Sequence, residues 1–218
     1  MTPASRKRLS LKGLADYMTA SHRKQRAILH SYKYPDEDES QAKILYYREA
    51  RDRILALHKS AHQPAWLQSE ALQLESVAAH ATDAASRRLI NNARALVSYA
   101  THFGNRVFKI LDEAHMTLTI AGVVITVRPD MHVEEKRAER LIKLEFGVEP
   151  LAPTAIRILT QTMYEAARNS GMSIKSKDVL CFDVTRGKVH AAGTRMGPRL
   201  KGEIKAACQN IASIWDGI

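Results

Sequence analysis

The segment VVITVRPDMHVEEKRAERLIKLEFG, residues 123–147, decides the fold class of this chain. Its first part is rich in β-branched residues, which favour extended strands. Its last part, RLIKLEF, alternates between two faces, and a period of two is typical of a β-strand. The faces are Ile142, Leu144 and Phe146 on one side and Leu141, Lys143 and Glu145 on the other. We therefore predict two strands joined by a charged turn.

Helical patterns precede this segment, and helices alternate with strands after it. Apolar residues recur every three or four positions in LSLKGLADYMTA and from Trp66 to Gly104, where Thr82 and Asp83 divide two helices. Downstream, APTAIRILTQTMYEAARNSG predicts a helix and KDVLCFDVTRGKVHAAG predicts a hairpin that turns at Arg186-Gly187. The last stretch, GPRLKGEIKAACQNIASIW, predicts a closing helix.

These elements predict an α/β (α+β) protein with two parts. The short linker HQPAW, which contains Pro64, marks the predicted boundary. An N-terminal helical region at 1–62 would precede a domain at 66–218, in which helices flank a mixed central sheet.

The composition excludes several classes of protein. Of 218 residues, 45% are hydrophobic and 26% are charged, which is ordinary for a globular chain and argues against disorder. No apolar run approaches the roughly 18–20 residues of a membrane span, and none follows the basic start as a secretory signal would require. Cys181 and Cys208 show no metal-ligand spacing and predict two buried thiols. We expect a cytoplasmic protein without a membrane partner.

The positive charge is concentrated at the two ends of the chain. Residues 1–33 hold eight Lys or Arg against one acid, and residues 151–218 hold ten against five, whereas the net charge of the whole chain is +10. Such a distribution suits a polyanion, because each neutralised phosphate releases counterions. We predict nucleic acid, DNA in particular, as the partner. An acidic protein partner or an anionic membrane surface would fit the charge as well, and so would a soluble basic protein without a polyanionic partner.

Two basic clusters are the candidate phosphate contacts. The first lies in the opening turn of a predicted helix, where cations oppose the helix dipole and so are not placed for stability. The second flanks Gly197-Pro198 just before the last helix, whose N-terminal amides can bind an anion. The candidates are Arg23, Lys24 and Arg26 in the first cluster and Arg195, Arg199 and Lys201 in the second.

A further pattern runs through residues 66–192: a helix, three meandering strands, a crossover helix and another strand. Pro129-Asp130 ends a predicted strand, and Lys143 lies in the middle of the next one, thirteen positions later. Gln161 and Tyr164 follow on the crossover helix in QTMYEAA. In these features the chain resembles the PD-(D/E)XK nucleases, which have the restriction-endonuclease-like fold.

The resemblance implies a metal-dependent phosphodiesterase site. Asp130 and a second carboxylate would hold Mg²⁺ or Mn²⁺, which prefer oxygen ligands. Lys143 would stand beside the attacking water and stabilise developing negative charge. Gln161 and Tyr164 match the helix motif of the exonuclease branch, and Glu70 or Glu75 would match an acid on the preceding helix.

The chain departs from the family pattern at the second carboxylate. That residue should stand two positions before Lys143, where this chain has Leu141, which cannot bind a metal. Glu145 and Glu139 share the face of Lys143 by parity, and we take Glu145 as the second candidate ligand beside Asp130. His132 is a further candidate. The literal Glu-x-Lys at 134–136 falls in the predicted turn.

Three functions and one alternative to the resemblance follow. The first is a nucleic-acid-binding protein with a degenerate nuclease-like domain, acting in DNA processing, defence or regulation. The second is an active Mg²⁺- or Mn²⁺-dependent DNA nuclease, and the third is a protein-interaction module of the antitoxin or adaptor kind. Alternatively, the domain is an unrelated α+β fold in which Asp130 and Lys143 form a plain salt bridge.

Overall fold

The structure, a computed structural model, describes residues 7–36 and 46–218. In these ranges it contains seven α-helices and eight strands. The helices are α1 (Leu11–Thr19), α2 (His22–Lys33), α3 (Arg48–Lys59), α4 (Pro64–Ala78), α5 (Asp83–Phe103), α6 (Pro153–Asn169) and α7 (Pro198–Ile214). The strands are β1 (Arg8–Ser10), β2 (Lys109–Ile110), β3 (Met116–Ile120), β4 (Val123–Val127), β5 (Met131–Glu135), β6 (Ala138–Glu145), β7 (Val179–Asp183) and β8 (Lys188–Ala191). The predicted mixed α/β class is confirmed.

The strands form two sheets, whereas the sequence predicted one mixed central sheet. One has three strands in the order β1-β4-β3, with β1 parallel to β4. The other has five strands in the order β2-β5-β6-β7-β8, in which β6 and β7 are parallel and the other pairs are antiparallel. The parallel pair is joined through α6, because parallel neighbours need a crossover connection.

The segment 123–147 passes from one sheet to the other at Pro129. Its predicted first strand is β4 in the three-stranded sheet, whereas residues 131–135, which the sequence placed in the charged turn, form β5 of the five-stranded sheet. Proline has no backbone N–H and interrupts a hydrogen-bond ladder, which explains why the division falls there. Asp130 therefore lies between two sheets rather than at the end of a single strand.

Two of the predicted turns use a left-handed backbone. Ala121 and Gly122 connect β3 and β4 with φ values of 48° and 78°. Lys136 and Arg137 connect β5 and β6 with φ values of 51° and 64°. Two-residue hairpin turns with positive φ at both positions match the natural twist of the strands. The predicted charged turn is confirmed only at Lys136 and Arg137. Glu134 and Glu135 of the literal Glu-x-Lys are the last residues of β5, so their predicted place in the turn was wrong.

The alternation of β6 divides its side chains between two apolar clusters. Ile142 and Leu144 are buried with residues of α3, α4 and α5. Leu141 is buried in the other cluster, with residues of α1, α6 and α7. The predicted alternation is confirmed, and it places Lys143 and Glu145 on the face that carries Leu141.

Both clusters draw on residues from each side of the predicted boundary at 62–66. Leu9 and Leu14 are buried in the cluster of α6 and α7, and Ile54 of α3 is buried in the cluster of α4 and α5. Strand β1 also joins β4 directly. Whether 1–62 and 66–218 fold as separate domains stays a prediction.

The predicted burial of the two cysteines is confirmed. Cys181 and Cys208 are buried free thiols, and burial raises the pKa of Cys181 to about 12 and that of Cys208 to about 11. Across residues 7–36 and 46–218, no helix is both long and apolar enough to cross a membrane.

Candidate functional site

Asp130 is tied to strand β6 by two hydrogen bonds. Its backbone N–H donates to the carbonyl of Ile142 at 2.9 Å. Its Oδ2 accepts a hydrogen bond from the backbone N–H of Leu144 at 2.7 Å. The carboxylate therefore accepts the hydrogen bond that a backbone carbonyl of a neighbouring strand would otherwise accept. It does so next to Pro129, which interrupts the hydrogen-bond ladder between strands. This arrangement holds Asp130 in one position over β6.

Two cations neutralise the Asp130 carboxylate. The Nζ of Lys143 lies 3.0 Å from Oδ2, and the Nε of Arg51 on α3 lies 3.1 Å from Oδ1. The side chain of Asp130 is only 9% exposed. The Arg51 contact is an ion pair without hydrogen-bond geometry, since its Nε has no hydrogen-bond partner within the described ranges. Both oxygens of the candidate metal ligand therefore contact protein cations.

Glu145, the second candidate ligand, lies two residues beyond Lys143 and contacts α1. Its Oε2 is 3.9 Å from the Nζ of Lys12, which also pairs with Asp16 at 3.0 Å. Burial raises the pKa of Glu145, although Lys12 and Lys143 oppose this shift. Burial lowers the pKa of Lys12, but Glu145 and Asp16 outweigh it and raise that pKa. Glu145 is more buried than Lys12, so for Glu145 the cost of burying its charge outweighs the attraction of Lys12 and Lys143.

Together these groups form a charge-balanced network. Its carboxylates are Asp130, Glu145 and Asp16, and its cations are Lys143, Arg51 and Lys12. No set of three or more His, Cys, Asp or Glu side chains suited to a metal ion is present in the described part of the chain. The metal-ligand role of Asp130 and Glu145 stays a prediction. At Asp130, the ammonium group of Lys143 and the guanidinium group of Arg51 lie beside the carboxylate oxygens that would bind a metal.

The other candidate ligands, Glu139 and His132, pair with each other. The Nε2 of His132 lies 2.7 Å from Oε1 of Glu139, and its Nδ1 lies 2.7 Å from the carbonyl of Asp112. Glu70 on α4 pairs with Arg53 at 2.8 Å, and Glu75 is exposed. These four side chains make no hydrogen bond or ion pair with Lys143 within the described residues.

The crossover helix α6 carries Gln161 and Tyr164. Gln161 is 4% exposed, and its Oε1 accepts a hydrogen bond from the N–H of Gly193 at 3.1 Å. Its Nε2 is buried without a hydrogen-bond partner among the described residues. Tyr164 is half-buried, with the guanidinium of Arg168 5.9 Å from its ring centre. Gln161 therefore holds the loop that leads to Arg195, and its catalytic role stays a prediction.

The two predicted basic clusters differ in how far their charges are paired. Arg23, Lys24 and Arg26 on α2 are exposed and have no ion pair with any described residue. In the second cluster, Arg199 is 91% exposed and pairs with Glu203 at 2.8 Å. Arg195 and Lys201 are exposed without a described ion pair. The α2 cluster is therefore the better candidate for a polyanion.

Sequence reasoning missed Arg51 and Lys12 as members of the site. Arg51 falls on the buried stripe of α3, next to Ala50 and one turn before Ile54. A cation on a buried stripe requires a carboxylate partner, so the helical period contained a signal for Arg51. The residues around Lys12 contain no such signal, because Asp16 four positions later already accounts for it as a surface pair.

A cleft of about 1120 Å³ opens beside Asp130. It is lined by His58 and Lys59 at the end of α3, by residues 109–115, by residues 128–132 and by Glu139. His58 is half-buried, with Nε2 2.9 Å from the Tyr99 hydroxyl. Burial, assisted by Arg106, lowers the pKa of His58 to about 4. The histidine at this end of the cleft is therefore neutral at neutral pH.

This lowered pKa predicts acid sensitivity. The unfolded chain takes up a proton at His58 near its ordinary pKa, whereas the folded protein does not until about pH 4. The contribution of neutral His58 to the free energy of unfolding is therefore complete above pH 6.5. It is lost as the pH falls toward 4, by up to about 3 kcal/mol. Urea unfolding of wild type and His58→Gln at pH 7, 5.5 and 4.5 measures this loss. Parallel pH profiles for the two proteins would contradict it.

Comparisons with protein-family models and with curated proteins gave no match for this chain. The likeness to PD-(D/E)XK nucleases therefore depends on the residues and on the order of elements described above. In that order, α5 is followed by β2, β3, β4, β5 and β6, by the crossover helix α6 and by β7, so five strands in two sheets stand where the resemblance calls for three. The membership stays a prediction.

Proposed function

We propose that this protein binds nucleic acid, DNA in particular, and does not cleave it. The observation that carries the proposal is the surface of α2. Arg23 and Lys24 are exposed in its first turn and Arg26 at the start of its second, and none of them forms an ion pair with a described residue. Cations at a helix N-terminus oppose the dipole, so the fold gains nothing from them there. A phosphate backbone would supply the missing counter-charges.

The network around Asp130 supports binding without cleavage. A metal-dependent mechanism needs free carboxylate oxygens, and Asp130 offers both of its oxygens to Lys143 and Arg51. The order of charges along β6 is also reversed. The resemblance calls for a carboxylate two residues before a lysine, whereas here the lysine comes first and Glu145 follows. The ammonium group is consequently the nearest charge to Asp130.

The relation to nucleases is part of the proposal. The order of elements from α5 to β7 supports it, and so does the shared position of Asp130 and Lys143, which are 3.0 Å apart. We further propose a cytoplasmic protein, as its composition suggests, and a binding subunit in DNA processing, defence or regulation. The latter assignment follows from fold analogy.

The second candidate function, an active nuclease, is favoured by Glu145. This carboxyl shares a face with Lys143, and the Asp130 charge contributes to the rise of its pKa. Two nearby carboxylates that repel each other would gain from a divalent cation between them. For such a site to form, the metal would have to displace Lys143 or Arg51 from Asp130.

One experiment tests binding and cleavage together. We expect the purified protein to bind labelled duplex DNA with an affinity that falls at least tenfold between about 50 and 200 mM salt. We expect no cleavage of the same DNA in Mn²⁺. Absent or salt-insensitive binding would overturn the proposal. Cleavage that disappears in both Asp130→Ala and Lys143→Ala would establish the nuclease instead, whereas cleavage that survives both substitutions would indicate contamination.

A further inference from the structure

A second basic site lies at the closed end of the β5–β6 hairpin, where the chain forms a cleft of about 480 Å³. One wall is the hairpin turn with the start of β6, and the other is the segment 173–178 that leads into β7. The charged residues of the lining are Arg137, Arg140, Lys175, Lys177, Glu139 and Asp178. Among these residues, sequence reasoning had assigned a role only to Glu139, as a candidate metal ligand.

Arg140 and the two carboxylates are already paired. The Nη1 of Arg140 lies 3.0 Å from Glu135, and its Nε lies 3.7 Å from Oδ1 of Asp178. Glu139 has His132 as its partner. These contacts keep Arg140 in the wall of the cleft. Its Nε–H nevertheless has no hydrogen-bond partner among the described residues.

The remaining cations have no such partners. Arg137, Lys175 and Lys177 are exposed at the cleft, and none of them forms an ion pair in residues 7–36 or 46–218. The positive charges on the two facing walls of the cleft repel one another. Holding them close together is therefore unfavourable unless an anion screens them. The cleft therefore has an excess of positive charge that the described protein does not neutralise.

The backbone of the turn is a second, independent observation. Lys136 and Arg137 both adopt positive φ, 51° and 64°, a conformation that is strained for residues with a Cβ. The β3–β4 turn has the same geometry, but glycine occupies its second position, Gly122. Asn-Gly is the favoured pair in such turns. The chain thus keeps two long cations where smaller residues would give a more stable turn, and retained strain of this kind is concentrated at functional sites.

We propose that this cleft binds a phosphate group. Three cations without protein partners match a multiply charged oxyanion, and the guanidinium of Arg137 can donate two parallel hydrogen bonds to phosphate oxygens. The phosphate belongs either to a free nucleotide-like ligand or to a nucleic-acid backbone. In the second case alone, the inference rests on the proposed function.

The decisive variant exchanges the turn, Lys136→Asn with Arg137→Gly. It removes two positive charges, which should weaken phosphate binding. It also relieves the backbone strain of the turn, which should raise the stability of the protein. We expect its Tm to rise by roughly 2–4 °C. We expect its Kd for inorganic pyrophosphate, measured by calorimetry, to rise about tenfold or more, since about tenfold corresponds to a single lost charge-assisted contact. A more stable protein with weaker binding cannot be explained by misfolding.

Two further variants separate this site from general electrostatics. Lys175→Ala with Lys177→Ala removes charge from the opposite wall, and it should weaken binding by a similar factor without raising Tm. Lys188→Asn with Lys205→Asn removes the same charge from exposed positions outside the cleft, with no described ion pair to break. It should leave pyrophosphate binding within about twofold of wild type, because distant exposed charges are screened.

The outcomes distinguish the two sources of phosphate. Pyrophosphate binding that is lost in both cleft variants supports a free phosphate ligand, even if the wild type fails to bind DNA. If pyrophosphate does not bind and duplex DNA binding falls in both cleft variants but not in the control, the phosphate is that of a nucleic-acid backbone. The inference is overturned if the cleft variants bind both pyrophosphate and duplex DNA as wild type does. It is also overturned if the control variant loses as much affinity as the cleft variants do.

Discussion

Replacing Asp130 with alanine is expected to lower the free energy of unfolding by about 3 kcal/mol, which corresponds to a fall in Tm of roughly 6–12 °C. The carboxylate accepts a hydrogen bond from Leu144 and contacts Lys143 and Arg51. Its removal leaves a buried backbone donor without an acceptor and two cations without a counter-charge. We take the lower end of the range for a broken buried pair because Arg51 is 31% exposed. Urea unfolding at neutral pH measures this change.

Two variants serve as controls for this prediction. Asp16→Ala removes an aspartate from the same network, but Asp16 is 47% and its partner Lys12 39% exposed, far more than Asp130. Its cost should stay near or below about 0.5 kcal/mol. The double variant Asp130→Ala with Lys143→Met should lose less than the sum of the two single variants, by about 1 kcal/mol or more, because the lone ammonium is removed along with its partner.

The result also discriminates between the two candidate functions. A carboxylate kept for metal binding is commonly a burden on stability, so its removal is neutral or stabilising. If Asp130→Ala proves as stable as wild type, or more stable, the ion pair does not hold the fold together. The nuclease would then become the better account of Asp130.

The second large effect concerns α2. A triple variant with Gln at positions 23, 24 and 26 is expected to bind duplex DNA on the order of 100-fold more weakly at about 100 mM salt. The slope of log K against log salt should fall in magnitude by about 2–3, because binding releases roughly one counterion fewer for each phosphate contact that is lost. Fluorescence anisotropy over a series of salt concentrations measures both quantities.

The charge-matched control for α2 carries Arg157→Gln, Lys188→Gln and Lys205→Gln, three exposed cations outside α2 without described ion pairs. It should change DNA affinity by much less than the α2 variant. The Tm of the α2 variant should equal or exceed that of wild type, because the replaced cations oppose the helix dipole. Equal losses in the two triple variants would mean that net charge, rather than the α2 surface, determines binding.

Much of the fold was predictable because it depends on local periodicity. The alternation in RLIKLEF places Ile142 and Leu141 in different apolar clusters, as expected of a strand with two covered faces. The helix boundary at Thr82 and Asp83 follows from an acid in the first turn, which the helix dipole favours, and the turn at Ala121-Gly122 follows from turn chemistry. Both effects act over a few residues. Strand β1 was not predicted, since three residues are too few to establish a period.

The candidate site was predictable only in part. Parity placed Lys143 and Glu145 on one face, and the resemblance brought Asp130 to Lys143, which the structure has at 3.0 Å. The other partners come from distant parts of the chain: Arg51 from α3 and Lys12 from α1. No local rule pairs a cation with a carboxylate many tens of residues away, because such contacts depend on how helices pack against the sheet.

The amino-acid sequence by itself determined which positions face an apolar core, where the strands turn, and that the positive charge lies at the two ends. These properties depend on side-chain chemistry within a few neighbouring residues. Only the tertiary structure decided that cations surround Asp130, that the chain passes between two sheets at Pro129, and that Arg137 faces Lys175 and Lys177 across a cleft. Long-range packing determines the partner of a charged side chain, and the same residues in another packing would have other partners.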